Sequence, residues 1–339
     1  MIIGIISSVI AGMFNGSFAV PTKRIKHWEW ENTWFVYALI ALLFLPVITA
    51  FISVPSLFDI YKQAGSSVML KTLFTGMLYG IGSVTFGLGL HLAGLSLGNS
   101  LMIGIISITG SLVPMLMLSP ESILTPGGGI LLTAMVVTVI GVIYCGNAGM
   151  LRSRSKGNDD DLDKRKASYK IVLVVCIVSG IFSSMLNISL VMGMPIADLA
   201  KTNLSGVLSS FRAYNAVWAV TLFGALIPYV FYCFYLFFRN KSIVKYKVTT
   251  SNFSWAILMG FLWFFCITLY GAGASNLGKL GTTISWLILM SCTVAVGNLW
   301  GWITGEWKNA PQKAQQKMKT GLVLLFLSVV MVAVAKLFL

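Results

Sequence analysis

The sequence predicts an all-α polytopic membrane protein: ten transmembrane helices in two inverted five-helix repeats. Three observations predict it. The first is composition. Of 339 residues, 57% are hydrophobic and only 10% are charged, whereas soluble domains carry about 25% charged residues. Mean hydropathy is +0.87. That balance excludes a soluble enzyme, and it excludes a disordered chain, which needs low hydrophobicity and high charge. The second is segmentation into apolar stretches close to the length of about 20 residues that crosses a bilayer core as a helix. The third is a set of short motifs that recur in both halves of the chain.

The spans follow in order. Span 1 covers residues 2–22; no basic segment precedes it, so a cleaved signal peptide is not expected. Spans 2 to 5 cover 33–54, 71–91, 97–118 and 128–147, which makes 1–147 the first repeat. Residues 148–168 read as a solvated cytoplasmic linker, with Asp159, Asp160, Asp161 and Asp163 among basic residues. Spans 6 to 10 cover 169–192, 212–238, 252–274, 281–303 and 320–338, which makes 169–339 the second repeat. The half-polar stretch Met194 to Ser210 has the composition of a short helix at the membrane surface.

Charge sets the orientation. The net charge is +14, which in a soluble chain would suggest a nucleic-acid partner. Here 18 of the 24 Lys and Arg residues fall in loops that must share one side. The positive-inside rule places that side in the cytoplasm, so both termini are expected in the periplasm of a bacterial inner membrane.

The repeats show in matched motifs. Gly76-Met77-Leu78-Tyr79 pairs with Gly260-Phe261-Leu262-Trp263, and Phe86-Gly87-x-Gly89 pairs with Tyr270-Gly271-x-Gly273 at the same offset of 184, as do Gly94 and Gly278. Gly12-Met13-Phe14-Asn15 pairs with Gly180-Ile181-Phe182-Ser183 at an offset of 168. Five spans per half is an odd number, so the second half enters the membrane upside down. Inverted repeats are typical of secondary transporters, whose substrate sites lie near the midplane between the repeats.

No catalytic constellation is present. The sequence contains no H-E-x-x-H, P-loop or G-x-S-x-G pattern. Its five cysteines form no C-x-x-C pair, so neither a metal nor a cofactor is expected. The glycines at 87, 89 and 94 read as close helix packing rather than a nucleotide loop, because small residues let membrane helices approach. The informative residues are the polar ones held in hydrocarbon, where each needs a partner. They are Asn15, Ser17, Asn99, Ser100, Asn187, Tyr214, Asn215, Ser285 and Asn298. Singly, each can be an interhelical hydrogen bond; together they suggest a polar cavity. Trp28, Trp30, Trp300, Trp302 and Trp307 read as interfacial belt residues. Trp34, Trp263, Tyr270 and Trp286 lie deeper or beside polar residues, where a ring can stack on the apolar face of a sugar while Asn and Ser take its hydroxyls. Acidic residues are scarce. Glu31 opens span 2, where a carboxylate suits the helix dipole. Glu306 follows span 9, where the dipole disfavours it and a cationic partner is required.

The stretch Pro21-x-Lys23-x-x-Lys26-x-Trp28-x-Trp30-Glu31-x-x-Trp34 resembles the first loop of the L-rhamnose–proton symporter family of the drug/metabolite transporter superfamily. So do Gly80-Ile81-Gly82, Gly180-Ile181-Phe182-Ser183, Ile284-Ser285-Trp286 and Gly305-Glu306-Trp307-x-Asn309-Ala310, in the same order over nearly the whole chain. The resemblance implies import of L-rhamnose or a similar deoxysugar with a proton. It also implies a cavity lined by the first four helices of each half, with helices 5 and 10 outside it. It implies an acidic residue two places before Ile-Ser-Trp, where this chain has Thr282, and a basic residue near the end of span 3, where it has His91. Glu31, His91 and Glu306 are therefore the candidates for proton coupling or gating. The alternatives are another small solute in the same fold (a different sugar, a nucleoside or a metabolite) and an uncoupled facilitator. The expected partners are a sugar, a proton and the lipid bilayer, with no nucleic acid and with a homodimer left open.

Overall fold

The computed structural model describes residues 1–93, 95–155, 169–206, 208–248 and 250–339. Those residues form helices and turns with no strand. Among the described residues, ten helices are long and apolar enough to cross a membrane. In lipid this is the expected outcome, since a helix satisfies its own backbone polar groups within one segment.

The helices are α1 (Ile2–Ser17), α2 (Trp30–Ser53), α3 (Leu57–Ala93), α4 (Leu95–Leu118), α5 (Pro126–Ser155), α6 (Tyr169–Met192), α7 (Met194–Thr202), α8 (Ser209–Asn240), α9 (Ser251–Ser275), α10 (Gly281–Ile303) and α11 (Gln312–Ala335). The short α7 is the helix expected after Met194; it buries Ile196, Ala197 and Ala200 against the bundle. Three boundaries differ most from the sequence reading. Helix α3 starts at Leu57 rather than near 71, because an amphipathic first segment joins the span across a kink at Gly65, whose φ is +80°. Helix α5 runs on through Ser155, carrying Arg152 and Arg154 into its last turn, where cations suit the dipole. Helix α11 begins at Gln312, a polar turn before its apolar stretch. The four clustered aspartates and Gly94 lie outside the described residues.

Helix α2 is not uniform. Its middle, Leu39–Phe44, is π-helical, followed by Pro46. Proline has no N–H to give the preceding turn, and the wider turn takes up that defect.

Packing is close where glycine allows it. A Cβ on Gly76 would lie 2.1 Å from the Thr221 carbonyl oxygen of α8, and one on Gly82 would lie 2.4 Å from the Ser183 backbone nitrogen of α6. Gly260, the match of Gly76, faces Ile40 of α2 instead. Helix α1 packs between α9 and α10, and α6 packs between α3 and α4. Helices α5 and α11 pack on each other at one edge.

Candidate functional site

Helices α1, α2, α3, α4, α6, α8, α9 and α10 converge on a cavity of about 420 Å3, and neither α5 nor α11 contributes to its lining. One end reaches exposed Ala19, and the other stops at buried Trp286 and Ile267.

One wall is aromatic. Trp30, Trp34 and Tyr37 recur at helical spacing, so α2 presents them on one face. Trp30 stacks on Trp34 at 5.9 Å, and Trp34 meets Tyr37 edge-on at 5.1 Å. Tyr37 meets Trp263 at 6.1 Å, and Trp263 lies parallel to Tyr79 at 6.3 Å. Trp30 also stacks on Tyr229 of α8 at 6.0 Å. The belt assignment of Trp30 is thus corrected: its ring is held between α2 and α8 and lines the cavity.

The remaining lining is mostly apolar, with one cluster of polar side chains set into it. Asn15 donates to the Thr293 hydroxyl at 3.0 Å, and Ser83, Asn99 and Ser183 join them. The Ser183 hydroxyl is buried without a hydrogen-bond partner. Two of the motif pairs deliver matched residues here: Asn15 and Ser183 end one pair, Tyr79 and Trp263 another.

A second, polar cavity of about 330 Å3 shares Asn15, Asn99, Ile103 and Thr293 with the first. It continues past Ser100 and Asn298 to Arg152, Glu306 and Trp307. Glu306 accepts from Lys23 at 2.6 Å and from Arg152 at 2.8 Å. Burial pushes its carboxyl up, but the Lys23 hydrogen bond and the charges of Arg152 and Lys23 outweigh that and hold it below the usual carboxylate range. The Arg152 guanidinium also lies over the Trp307 ring, 4.8 Å from its centroid. Trp307 is only 5% exposed, a second correction to the belt assignment: the cation above its face holds the ring inside.

Beyond Trp286 the bundle is sealed by a hydrogen-bonded layer. Trp286 Nε1 donates to the Ile106 carbonyl at 3.0 Å. Asn187 Nδ2 donates to the Gly110 carbonyl at 2.6 Å and to the Thr282 carbonyl at 3.3 Å, and the Tyr270 hydroxyl donates to Asn187 Oδ1. Ser8 and Ser285 share a 2.7 Å hydrogen bond. Thr282 itself is buried, and its hydroxyl has no partner.

Of the residues expected to meet substrate, Asn15, Trp34, Asn99, Trp263 and Trp286 line the central cavity, and Asn298 lines the polar one. Asn187, Tyr270 and Ser285 lie in the sealed layer instead. Tyr214 and Asn215 lie elsewhere again: Asn215 donates to the Ser53 hydroxyl at 3.0 Å, tying α8 to α2, and the Tyr214 ring lies under Lys201 of α7. Glu306 faces the polar cavity. Glu31 is buried at the start of α2, where Asn240 Nδ2 at 3.0 Å and the Ser242 hydroxyl donate to it. The side chain of His91 lies outside the described residues.

Sequence reasoning missed Trp30, Tyr37, Tyr79, Ser83, Ser183, Tyr229 and Thr293. The matched motifs carried a usable signal for two of them, since Ser183 and Tyr79 stand opposite Asn15 and Trp263.

The family model for the L-rhamnose-proton symport protein matches residues 1–337. The chain is 26% identical over 337 residues to the L-rhamnose-proton symporter of Yersinia pestis (strain Pestoides F), covering 97% of this chain and 96% of that one. It is 27% identical over 334 residues to the L-rhamnose-proton symporter of Klebsiella pneumoniae (strain 342), covering 96% and 95%.

Proposed function

The chain belongs to the L-rhamnose-proton symport family, and from that premise we propose that it imports L-rhamnose together with protons, by alternating access of two halves, across the inner membrane of a bacterium. The observation that carries the site is the two-sided central cavity. An aromatic wall from α2, α3, α8 and α9 suits the C–H face and methyl group of a 6-deoxyhexose. Asn15, Ser83, Asn99, Ser183 and Thr293 suit its hydroxyls. The volume falls in the range of about 300–1,000 Å3 typical of small-molecule sites.

Residues 1–147 and 169–339 form the two inverted repeats. What supports this is the exchange of partners: Gly76 of α3 meets α8, while its match Gly260 of α9 meets α2. Helix α1 likewise sits between α9 and α10 as α6 sits between α3 and α4. The basic face is cytoplasmic and both termini are periplasmic, so the cavity that reaches Ala19 is an inward-facing one. Sugar occupies the central cavity and leaves through the polar one. Asn187, Tyr270 and Ser285 meet the pathway only when the sealed layer parts. Glu31, His91 and Glu306 are the groups available for coupling or gating.

Uptake of labelled L-rhamnose into proteoliposomes, with and without an inward proton gradient, tests this reading. Accumulation that requires the gradient is expected. Equilibration indifferent to the gradient would make the protein a facilitator, and no uptake would remove rhamnose as substrate.

A further inference from the structure

Six side-chain carboxylates lie among the described residues. Glu29 is held by Lys245, Glu121 by Lys279, Asp198 by Lys201, and Glu306 by Lys23 and Arg152. Asp59 is exposed in the first turn of α3. Glu31 differs from all of these: it is 1% exposed, and its donors, Asn240 and Ser242, are neutral. Resting on the symport reading, we propose that Glu31 carries the coupled proton, and that Glu306 is a fixed negative charge binding the basic loops together.

The geometry separates the two roles. A proton arriving at Glu306 would have to break ion pairs on both carboxylate oxygens, since Lys23 holds Oε1 and Arg152 holds Oε2. At Glu31 both donors reach the same atom, Oε1. A proton can therefore settle on Oε2 with no ion pair broken and both hydrogen bonds kept. A buried carboxylate without a cation is also the kind of group that marks proton pathways in membrane proteins.

Its surroundings allow the charge change to matter. The titratable groups facing Glu31 are Tyr232 and Cys233 of α8 and Tyr246 of the turn Ser242–Lys247. Helix α9 carries no charged residue. The basic residues of this corner are Arg239, Lys241, Lys245 and Lys247; Lys245 is occupied by Glu29, and among the described residues none of the four pairs with Glu31. Asn240 ends α8 and Ser242 opens the following turn, so Glu31 is the joint between the start of α2 and the end of α8. Its chain neighbour Trp30 stacks on Tyr229 in the cavity wall. A proton on Glu31 thus changes the charge at the joint that holds this aromatic wall.

Glu31→Gln and Glu306→Gln, reconstituted in proteoliposomes, test the assignment. Glu31→Gln is expected to exchange labelled for unlabelled L-rhamnose at a rate close to wild type, yet to equilibrate rather than accumulate it under a proton gradient. Glu306→Gln, at whatever rate its altered exit path leaves it, is expected still to reach a higher internal sugar level with the gradient than without it, and equilibration by Glu306→Gln with accumulation by Glu31→Gln would overturn the assignment. Accumulation by Glu31→Gln, or loss of both exchange and accumulation in a folded Glu31→Gln protein, would overturn the assignment. Should Glu31→Gln not fold, Ser242→Ala decides. Removing a donor to the charged form favours the proton, so the pH profile of uptake should move to higher pH; an unmoved profile would overturn the role. Wild-type protein that takes up no rhamnose would overturn the transport reading and this assignment with it, whereas wild-type uptake with undiminished Glu31→Gln accumulation overturns the assignment alone.

Discussion

Replacing Asn187 by alanine cuts the layer that seals the bundle beyond Trp286. The substitution removes both donations from Asn187 Nδ2 and the acceptor of the Tyr270 hydroxyl. Tyr270 is fully buried, and the partner left to it is the Thr282 carbonyl at 3.4 Å. A buried polar group left unsatisfied costs about 1–3 kcal/mol, while interhelical hydrogen bonds in membrane bundles average nearer ~0.6 kcal/mol. With the Gly110 carbonyl and the Tyr270 hydroxyl both affected, about 2 kcal/mol is a fair figure. If the layer forms only while the cavity faces the basic side, that energy shifts the balance toward the opposite conformation by about thirtyfold. Ser111→Cys in a chain otherwise free of cysteine provides the readout. Ser111 is fully buried at the layer and its hydroxyl has no partner, so the exchange is mild. An impermeant thiol reagent applied opposite the basic loops should label Cys at this position at least about tenfold faster once Asn187 is alanine. Tyr270→Phe, which strands only one acceptor, should act in the same direction and less. Unchanged labelling together with a lowered melting temperature would refute the reasoning, because the layer would then stabilise every conformation alike.

Trp263→Ala should raise the KM for L-rhamnose by about three- to tenfold, the worth of one aromatic contact, with Trp263→Phe milder; uptake kinetics check it. Gly76→Leu should lower the melting temperature in detergent by several degrees, since its Cβ meets the Thr221 carbonyl at 2.1 Å and overpacking costs about 1–3 kcal/mol. Gly129→Ala is the control: nothing lies within 4 Å of its Cβ, so helix propensity should stabilise the chain by about 0.5–1 kcal/mol. Acid should destabilise the protein in a defined window. Glu306 is held below the usual carboxylate value, and Glu121 is brought down to about 2 by the Ser119 and Lys279 hydrogen bonds. Both therefore stabilise the fold above the unfolded carboxylate value, and that contribution disappears as pH falls through their folded values. Thermal melts from pH 7 downward should show the decline beginning near pH 4.5, and Glu306→Gln should reduce its amplitude.

The spans were legible because hydrocarbon imposes one length and one chemistry on them. Their ends were less so: the first segment of α3 is charged enough to read as loop until Gly65 lets it join the span. The cavity was half legible. A polar residue in a span announces that it has a partner without saying which, and Asn215 spends its amide on Ser53 while Asn15 spends its amide on Thr293 in the wall of the central cavity. Tryptophans near span ends carry the belt signature whichever way they point, so Trp30 looked interfacial until its stacking on Tyr229 placed it inside. Serine and threonine hydroxyls are the hardest to read, because many return to their own helix, as Thr293 does to the Leu289 carbonyl. Repeat matching was the one signal that crossed this gap, by setting Ser183 opposite Asn15.

The wide turn at Leu39–Phe44 acts as a phase shifter in α2. Trp30, Trp34 and Tyr37 define a stripe whose next position on a regular helix would be residue 41, yet Leu42 is the residue that lines the cavity. One surplus residue is absorbed there, and the two ends of α2 keep a common face toward the central cavity. Deleting a single residue within 39–44 would restore a regular helix with Leu42 in the place of residue 41, so both ends of α2 would keep their faces, whereas winding 39–44 into a regular helix at its present length would rotate Trp30 and Trp34 by about 100° relative to Leu42 and all that follows. This stretch should therefore bear the loss of one residue better than the gain of one, and a regular helix grafted at this position would need one residue fewer than α2 carries.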